Sequence, residues 1–153
     1  MAALLLALAL IAPLAPGDAD ARTRIGQTLD AWHAAAARAD EEAYFAFFTP
    51  DAVFLGTDPA ERWTRDEFRL WAHPRFATGK AWTMTSTKRW ISLRADRNVA
   101  WFDEDVLSKG LGPVRGSGVL VRVGDMWKIA QYNLSVPIPN DRFDAVKRLI
   151  APQ

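Results

Sequence analysis

The second half of the chain constrains the fold most. Ala81–Leu93, Asn98–Leu107, Val114–Val123 and Trp127–Val136 are rich in Thr, Val, Trp and Ile, and short turns separate them. Runs of that composition and length, bounded by turn residues, read as β-strands. Successive strands joined by short turns pair antiparallel. The C-terminal half is therefore an antiparallel meander, and the N-terminal half must cover one of its faces.

The N-terminal half reads as helices. Thr23 caps a first helix running to Ala39, with Ile25, Leu29, Trp32 and Ala36 at helical spacing. Asp40, Glu41 and Glu42 open a second, short helix, where acids suit the positive end of the helix dipole. Tyr44, Phe45, Phe47 and Phe48 make it apolar on most sides, Thr49-Pro50-Asp51 ends it, and Ala52–Leu55 is a short strand. Thr64-Arg65-Asp66-Glu67 is a capping box that starts a third helix, with Phe68 and Trp71 on one face and an expected kink or stop at Pro74. Asp141–Ile150 reads as a terminal helix. Three helices followed by a four-stranded run is an α+β layout. A strongly curved sheet wrapped around those helices makes a cone with an open mouth.

Composition narrows the function. The formal charge is +1 and the basic residues are scattered, which gives no case for nucleic acid as a partner. The absence of cysteine excludes disulfides and thiolate metal sites. Seven Trp and eight Phe suit a core or an apolar cavity. Ala2–Ala12 is an apolar run too short for a spanning helix, which needs about 20 residues. With small residues at Ala19 and Ala21 it fits a secretory signal. The expected organisation is a signal over 1–21, a cone domain over 22–140 and a helical extension over 141–153. The expected location is periplasmic or secreted, with no stable membrane insertion of the mature form.

Four segments resemble the SnoaL-like branch of the nuclear transport factor 2-like superfamily. They are Asp51-Ala-Val-Phe-Leu-Gly-Thr57, Trp63-Thr-Arg-Asp-Glu-Phe68, Gly116-Ser-Gly-Val-Leu-Val-Arg122 and Trp127-Lys-Ile-Ala-Gln-Tyr-Asn133. The resemblance spans roughly residues 25–140. It implies the cone fold, homodimers packed through the sheet and a pocket inside the cone, but no single activity. Ketosteroid isomerase chemistry on this fold needs a carboxylate base, a Tyr and a protonated Asp. By the resemblance those positions fall on Gly56, Trp32 and Val119, none of which can do the job.

Strand alternation assigns the pocket. A three-residue loop of Gly124, Asp125 and Met126 pairs Val123 with Trp127, Val121 with Ile129, Val119 with Gln131, Ser117 with Asn133 and Arg115 with Ser135. A two-residue turn puts Val121 beside Lys128, a worse match. With Gly110-Leu111-Gly112 as the next loop, Trp101, Asp103 and Asp105 fall opposite Val121, Val119 and Ser117. The expected inward face thus grades from apolar Trp101, Val121 and Ile129 to polar Asp103, Asp105, Arg115, Ser117, Gln131 and Asn133. Shifting that loop by one residue turns Phe102 and Glu104 inward instead. A second reading makes Asp103 or Asp105 a partner of Arg115 or part of a dimer contact.

His33 follows Trp32 on the first helix, where an imidazole can act as acid or base; a satisfied structural histidine is the alternative. Asp103 and His33 are the candidate catalytic pair. Trp32, Trp101, Asp105, Arg115, Ser117, Val119, Gln131, Asn133 and Tyr44 are candidate ligand contacts, with Asp58 a weaker one. His73, beside Pro74, reads as a cap or packing residue. The two separated histidines do not make a metal site, and no phosphate loop, dinucleotide fingerprint or nucleophile elbow is present, so no cofactor is expected. Three readings follow. The first is a domain binding a small amphipathic or aromatic molecule. The second is a SnoaL-like isomerase, cyclase or hydrolase using Asp103. The third is a non-enzymatic dimeric interaction module.

Overall fold

The computed structural model describes residues 16–151. Helix α1 (Pro16–Ala37) and α2 (Glu41–Ala46) lead into strand β1 (Phe48–Leu55); β2 (Arg62–Thr64) leads into α3 (Arg65–Ala77). Strands β3 (Met84–Leu93), β4 (Val99–Ser108), β5 (Gly112–Val123) and β6 (Met126–Ser135) follow, then a short 3₁₀ turn and α4 (Phe143–Ile150). The apolar run Ala2–Ala12 lies outside the described residues. Ala19 and Ala21 lie within α1, and Ala21 is buried.

Local chemistry explains the joints. Ala39 takes a left-handed φ of 56° at the end of α1, and the amide of Asp40 reaches back to the carbonyl of Ala35 at 2.9 Å. The Asp40 carboxylate then accepts from the amide of Ala43 at 3.1 Å and caps α2. The capping box forms as expected. Thr64 Oγ1 accepts from the Glu67 amide at 3.3 Å, and the Thr64 amide donates to Glu67 Oε2 at 2.8 Å. Pro74 does not stop α3, which runs on to Ala77. Leu70 and Pro74 are both exposed, so the carbonyl that Pro74 cannot serve is left on the solvent side.

The six strands form one sheet in the order β2-β1-β6-β5-β4-β3. All neighbours are antiparallel except β1 and β6, which run parallel, a pairing the sequence reading did not contain. The sheet is curved and unclosed. Helices α1, α2 and α3 fill its concave side and make a cone.

The register partly departs from expectation. Val119 faces Gln131, Ser117 faces Asn133 and Arg115 faces Ser135, as read from the sequence. Beyond them Val123 pairs with Met126 across Gly124-Asp125, and Val121 faces Lys128. The two halves are reconciled by a register break between Val119 and Leu120, which leaves Ala130 as an extra residue on β6. An extra residue reverses the alternation. Trp127 and Ile129 therefore point into the core, while Gln131 and Asn133 point away from it and Tyr132 and Leu134 point in.

On β4 the buried face is Ala100, Phe102, Glu104, Val106 and Ser108. Trp101, Asp103 and Asp105 pair with Val119, Ser117 and Arg115, two residues away from the expected register and on the convex face. Apart from Ile129, the residues expected to face inward thus lie on the outer face. On β5 the concave face contains Gly116 and Gly118, which lack side chains, and this hides its apolar character in the sequence.

Candidate functional site

A cavity of about 650 Å³ opens between the sheet and the helices. Eight aromatic residues line it: Trp32, Tyr44, Phe54, Trp63, Phe68, Trp71, Trp82 and Tyr132. Their order follows from packing. Phe68, carried by the capped first turns of α3, stacks on Phe54 of β1 at 3.9 Å between ring centroids and 17° between planes. Trp63 continues the stack at 5.7 Å from Phe68 and 4.8 Å from Trp71, and Trp82 closes it at 5.9 Å from Phe68. Offset aromatic pairs contribute about 0.5–1.5 kcal/mol each beyond area burial, so this wall is held firmly. At the floor Trp32 lies 4.6 Å from Tyr132 and 5.2 Å from Tyr44.

Two phenols and one indole supply polarity to the floor. Burial, the largest influence, pushes the Tyr132 hydroxyl well above its ordinary range, and the adjacent Glu104 charge adds to it. Burial likewise raises Tyr44 well above that range, with Tyr132 adding and the indoles of Trp82 and Trp32 opposing. Both hydroxyls are therefore neutral. The buried Trp32 indole N–H lies near enough to the Tyr44 hydroxyl to act on it but meets no acceptor at full hydrogen-bond geometry. A group in that condition costs about 1–3 kcal/mol until an acceptor reaches it.

Behind the floor lies a buried charged chain. His33 Nε2 is 2.7 Å from Glu104 Oε1. Glu104 Oε2 accepts from Arg89 Nε at 2.8 Å, and Arg89 Nη1 reaches Asp30 at 2.9 Å and the Gly26 carbonyl at 3.1 Å. Desolvation is the largest single influence on Glu104 and raises its pKa. The hydrogen bond and charge of His33 and those of Arg89 together outweigh it, and the net shift is downward. An ionised carboxylate can only accept, so His33 Nε2 carries the proton it shares. Tyr132 Oη lies 3.5 Å from the same carboxylate oxygen. Neither His33 nor Glu104 lines the cavity; Trp32 and Tyr132 stand in front of them.

The residues read from the sequence divide cleanly. Trp32 and Tyr44 line the cavity. His33 is buried at its back, paired with Glu104 rather than with Asp103. Asp103, Trp101, Asp105, Arg115, Ser117, Val119, Gln131 and Asn133 all lie on the convex face, because the Ala130 bulge and the β4 register put the opposite set inside. Trp101 is 51% exposed there. Asp58 accepts from the Ala60 amide at 2.8 Å and shapes the β1–β2 loop. His73 bonds Glu41 at 2.7 Å and ties α3 to α2, a packing role. Arg89, Tyr132 and the aromatic wall beyond Trp32 and Tyr44 were missed, and Glu104 faced inward only in the alternative register that also turns Phe102 in. The signal available was Gly116 and Gly118, whose bareness leaves room for Phe102 and Tyr132 on the flanking strands. Among the described residues no cluster of His, Asp and Glu has the arrangement of a metal site, and no helix is long and apolar enough to cross a membrane.

Comparison with known proteins agrees with this geometry at the level of fold. No protein of curated function matches the chain significantly. Solved structures align well at low identity. An NTF2-like protein of unknown function from Pseudomonas putida is 14% identical with a TM-score of 0.68, covering 80% of this chain and 91% of its own. A candidate scytalone dehydratase from Novosphingobium aromaticivorans is 15% identical with a TM-score of 0.67, covering 79% and 87%. A candidate dehydratase of the NTF2-like family from Streptomyces avermitilis is 23% identical with a TM-score of 0.62, covering 80% and 99%. The sequence profile of the SnoaL-like domain matches residues 25–139, the span that contains every cavity-lining side chain, and the chain belongs to that family.

Proposed function

We propose that this SnoaL-like domain binds a flat, mostly apolar small molecule inside its cone, and that binding rather than acid–base chemistry is its main role. The observation that supports this is the cavity of about 650 Å³ walled by eight aromatic rings, with no imidazole and with Glu61 of the β1–β2 loop as the single carboxylate in its lining. The buried acid–base pair is shielded from that space and its carboxylate is already occupied by Arg89 and His33. The incompletely satisfied Trp32 N–H and the neighbouring Tyr44 hydroxyl give the floor a place for one ligand oxygen. Native mass spectrometry of protein from its own cells, followed by denaturing release, tests the reading. A co-purifying aromatic compound lost in Trp63→Ala supports it. A compound retained by that variant with unchanged affinity rules it out, because Trp63 forms the middle of the wall.

A second reading rests on Tyr132, which touches both the cavity and Glu104. In that reading a proton passes between Tyr132 and a bound substrate, with Glu104 and His33 setting the phenol's environment, and the neighbours named as dehydratases supply a reaction class to try. Tyr132→Phe abolishing turnover while leaving ligand affinity unchanged would favour it.

The same proposal includes export and self-association. The apolar run Ala2–Ala12 with Ala19 and Ala21 supports a cleaved leader, and mature protein beginning at Arg22 in the envelope fraction checks it. Trp90 and Trp101, each about half exposed on the convex sheet face, support a homodimer through that face.

A further inference from the structure

The charged side chains that line the cavity all come from the loops at one end of its strands, and they are divided by sign. Glu61 belongs to the β1–β2 loop; Lys80 belongs to the α3–β3 loop and Lys109 to the β4–β5 turn. The two lysines share one lip. The Lys109 amide donates to the Thr83 carbonyl at 3.1 Å, and Ser108 pairs with Met84 where the loops meet. The turn that bears Lys109 is itself fixed, since the buried Ser108 hydroxyl accepts from the Leu111 amide at 3.2 Å. Among the described residues neither ammonium group has a carboxylate within ion-pair distance, as is true of the other lysines. Glu61 is on the β1–β2 loop, separated from the β4–β5 turn by β6 in the sheet, its carboxylate accepting from the Asp58 amide at 3.2 Å.

We infer that the cavity takes an aromatic ligand with an anionic group, carboxylate-like, left at the mouth against Lys80 and Lys109. The inference rests on the binding reading above and gives it a substrate class. The depth of the cavity offers rings and hydroxyls but no charge, so a buried anion there would lose its hydration without replacement. At the lip an anion keeps part of its water and meets two cations across an aromatic wall that lowers the local dielectric. Glu61 repels an anion from the other side, so the charges also fix which way round the ligand enters. Lysine is suited to this role, as a mobile point charge that adapts to ligands differing in the position of their acid group.

The test compares 2-naphthoate with 2-naphthamide by calorimetry, using the mature wild-type protein and the double variant Lys80→Gln/Lys109→Gln. The pair differs in charge but hardly in shape. The expected result is about tenfold tighter binding of naphthoate, two partly exposed pairs at up to about 1 kcal/mol each. That preference should weaken with added salt and vanish in the double variant, while naphthamide affinity stays the same. Equal affinity of the two probes for wild type, or a preference that survives the double variant, overturns the inference and leaves the cavity as a binding site. Failure of both probes to bind at millimolar concentration removes the binding reading, and this inference with it.

Discussion

His33 and Glu104 are 71 residues apart in sequence and meet at 2.7 Å with both side chains buried. One comes from the C-terminal part of α1 and the other from the concave face of β4, so their contact fastens helix to sheet. Arg89 extends the fastening across β3, where it is the direct cross-strand partner of Glu104.

Removing the carboxylate should therefore damage the fold. Glu104→Gln leaves the Arg89 guanidinium buried without its counter-charge, and breaking such a pair costs about 3 kcal/mol or more. Urea denaturation should show that loss. Asp103→Asn, one residue away but on the convex face, should change stability by less than about 0.5 kcal/mol and leave ligand affinity unchanged. Similar losses for the two variants would mean that the face assignment of β4 is wrong.

Acid stability should follow the same carboxylate. The folded-state pKa of Glu104 lies below the ordinary 4.5. A group depressed by folding contributes stability that is fully present above its unfolded pKa and is lost as the pH falls through the folded one. The denaturation midpoint of wild type should accordingly decline below about pH 4.5, and Glu104→Gln should show a flatter decline. Parallel acid limbs for both proteins would assign the acid sensitivity to other carboxylates.

The close approach of β5 to its neighbours gives a steric prediction. A Cβ on Gly118 would run into the Gln131 carbonyl oxygen and the Phe102 ring, and backbone cannot move aside without opening the β5–β6 ladder. Gly118→Ala should cost about 2 kcal/mol or more. Gly110→Ala, where a Cβ meets open space, should stay within about 0.5 kcal/mol. Thermal unfolding of the two variants side by side reads the difference.

If the convex face is a dimer interface, Trp101→Glu should produce monomers by light scattering while retaining the fold by circular dichroism. An unchanged mass would move the self-association surface elsewhere, and a wild-type monomer would end the dimer proposal.

The sequence by itself determined the order of the elements apart from the short strand β2, the capping box at Thr64–Glu67, the α+β class and three of the β5–β6 cross-strand pairs. These depend on neighbours in the chain, on propensity and on period-two alternation, all of which are local. Tertiary structure alone decided which face of the sheet looks inward. That choice turns on one extra residue, Ala130, which reverses the alternation along β6, and on Gly116 and Gly118, whose missing side chains make the concave face of β5 look like a weak strand. It also decided that Glu104 joins His33, since no local rule selects one carboxylate among Asp103, Glu104 and Asp105. Only the curvature of the sheet around α1 brings a particular one within reach of the imidazole, and burial then makes the pairing obligatory because an isolated charge there would be too costly.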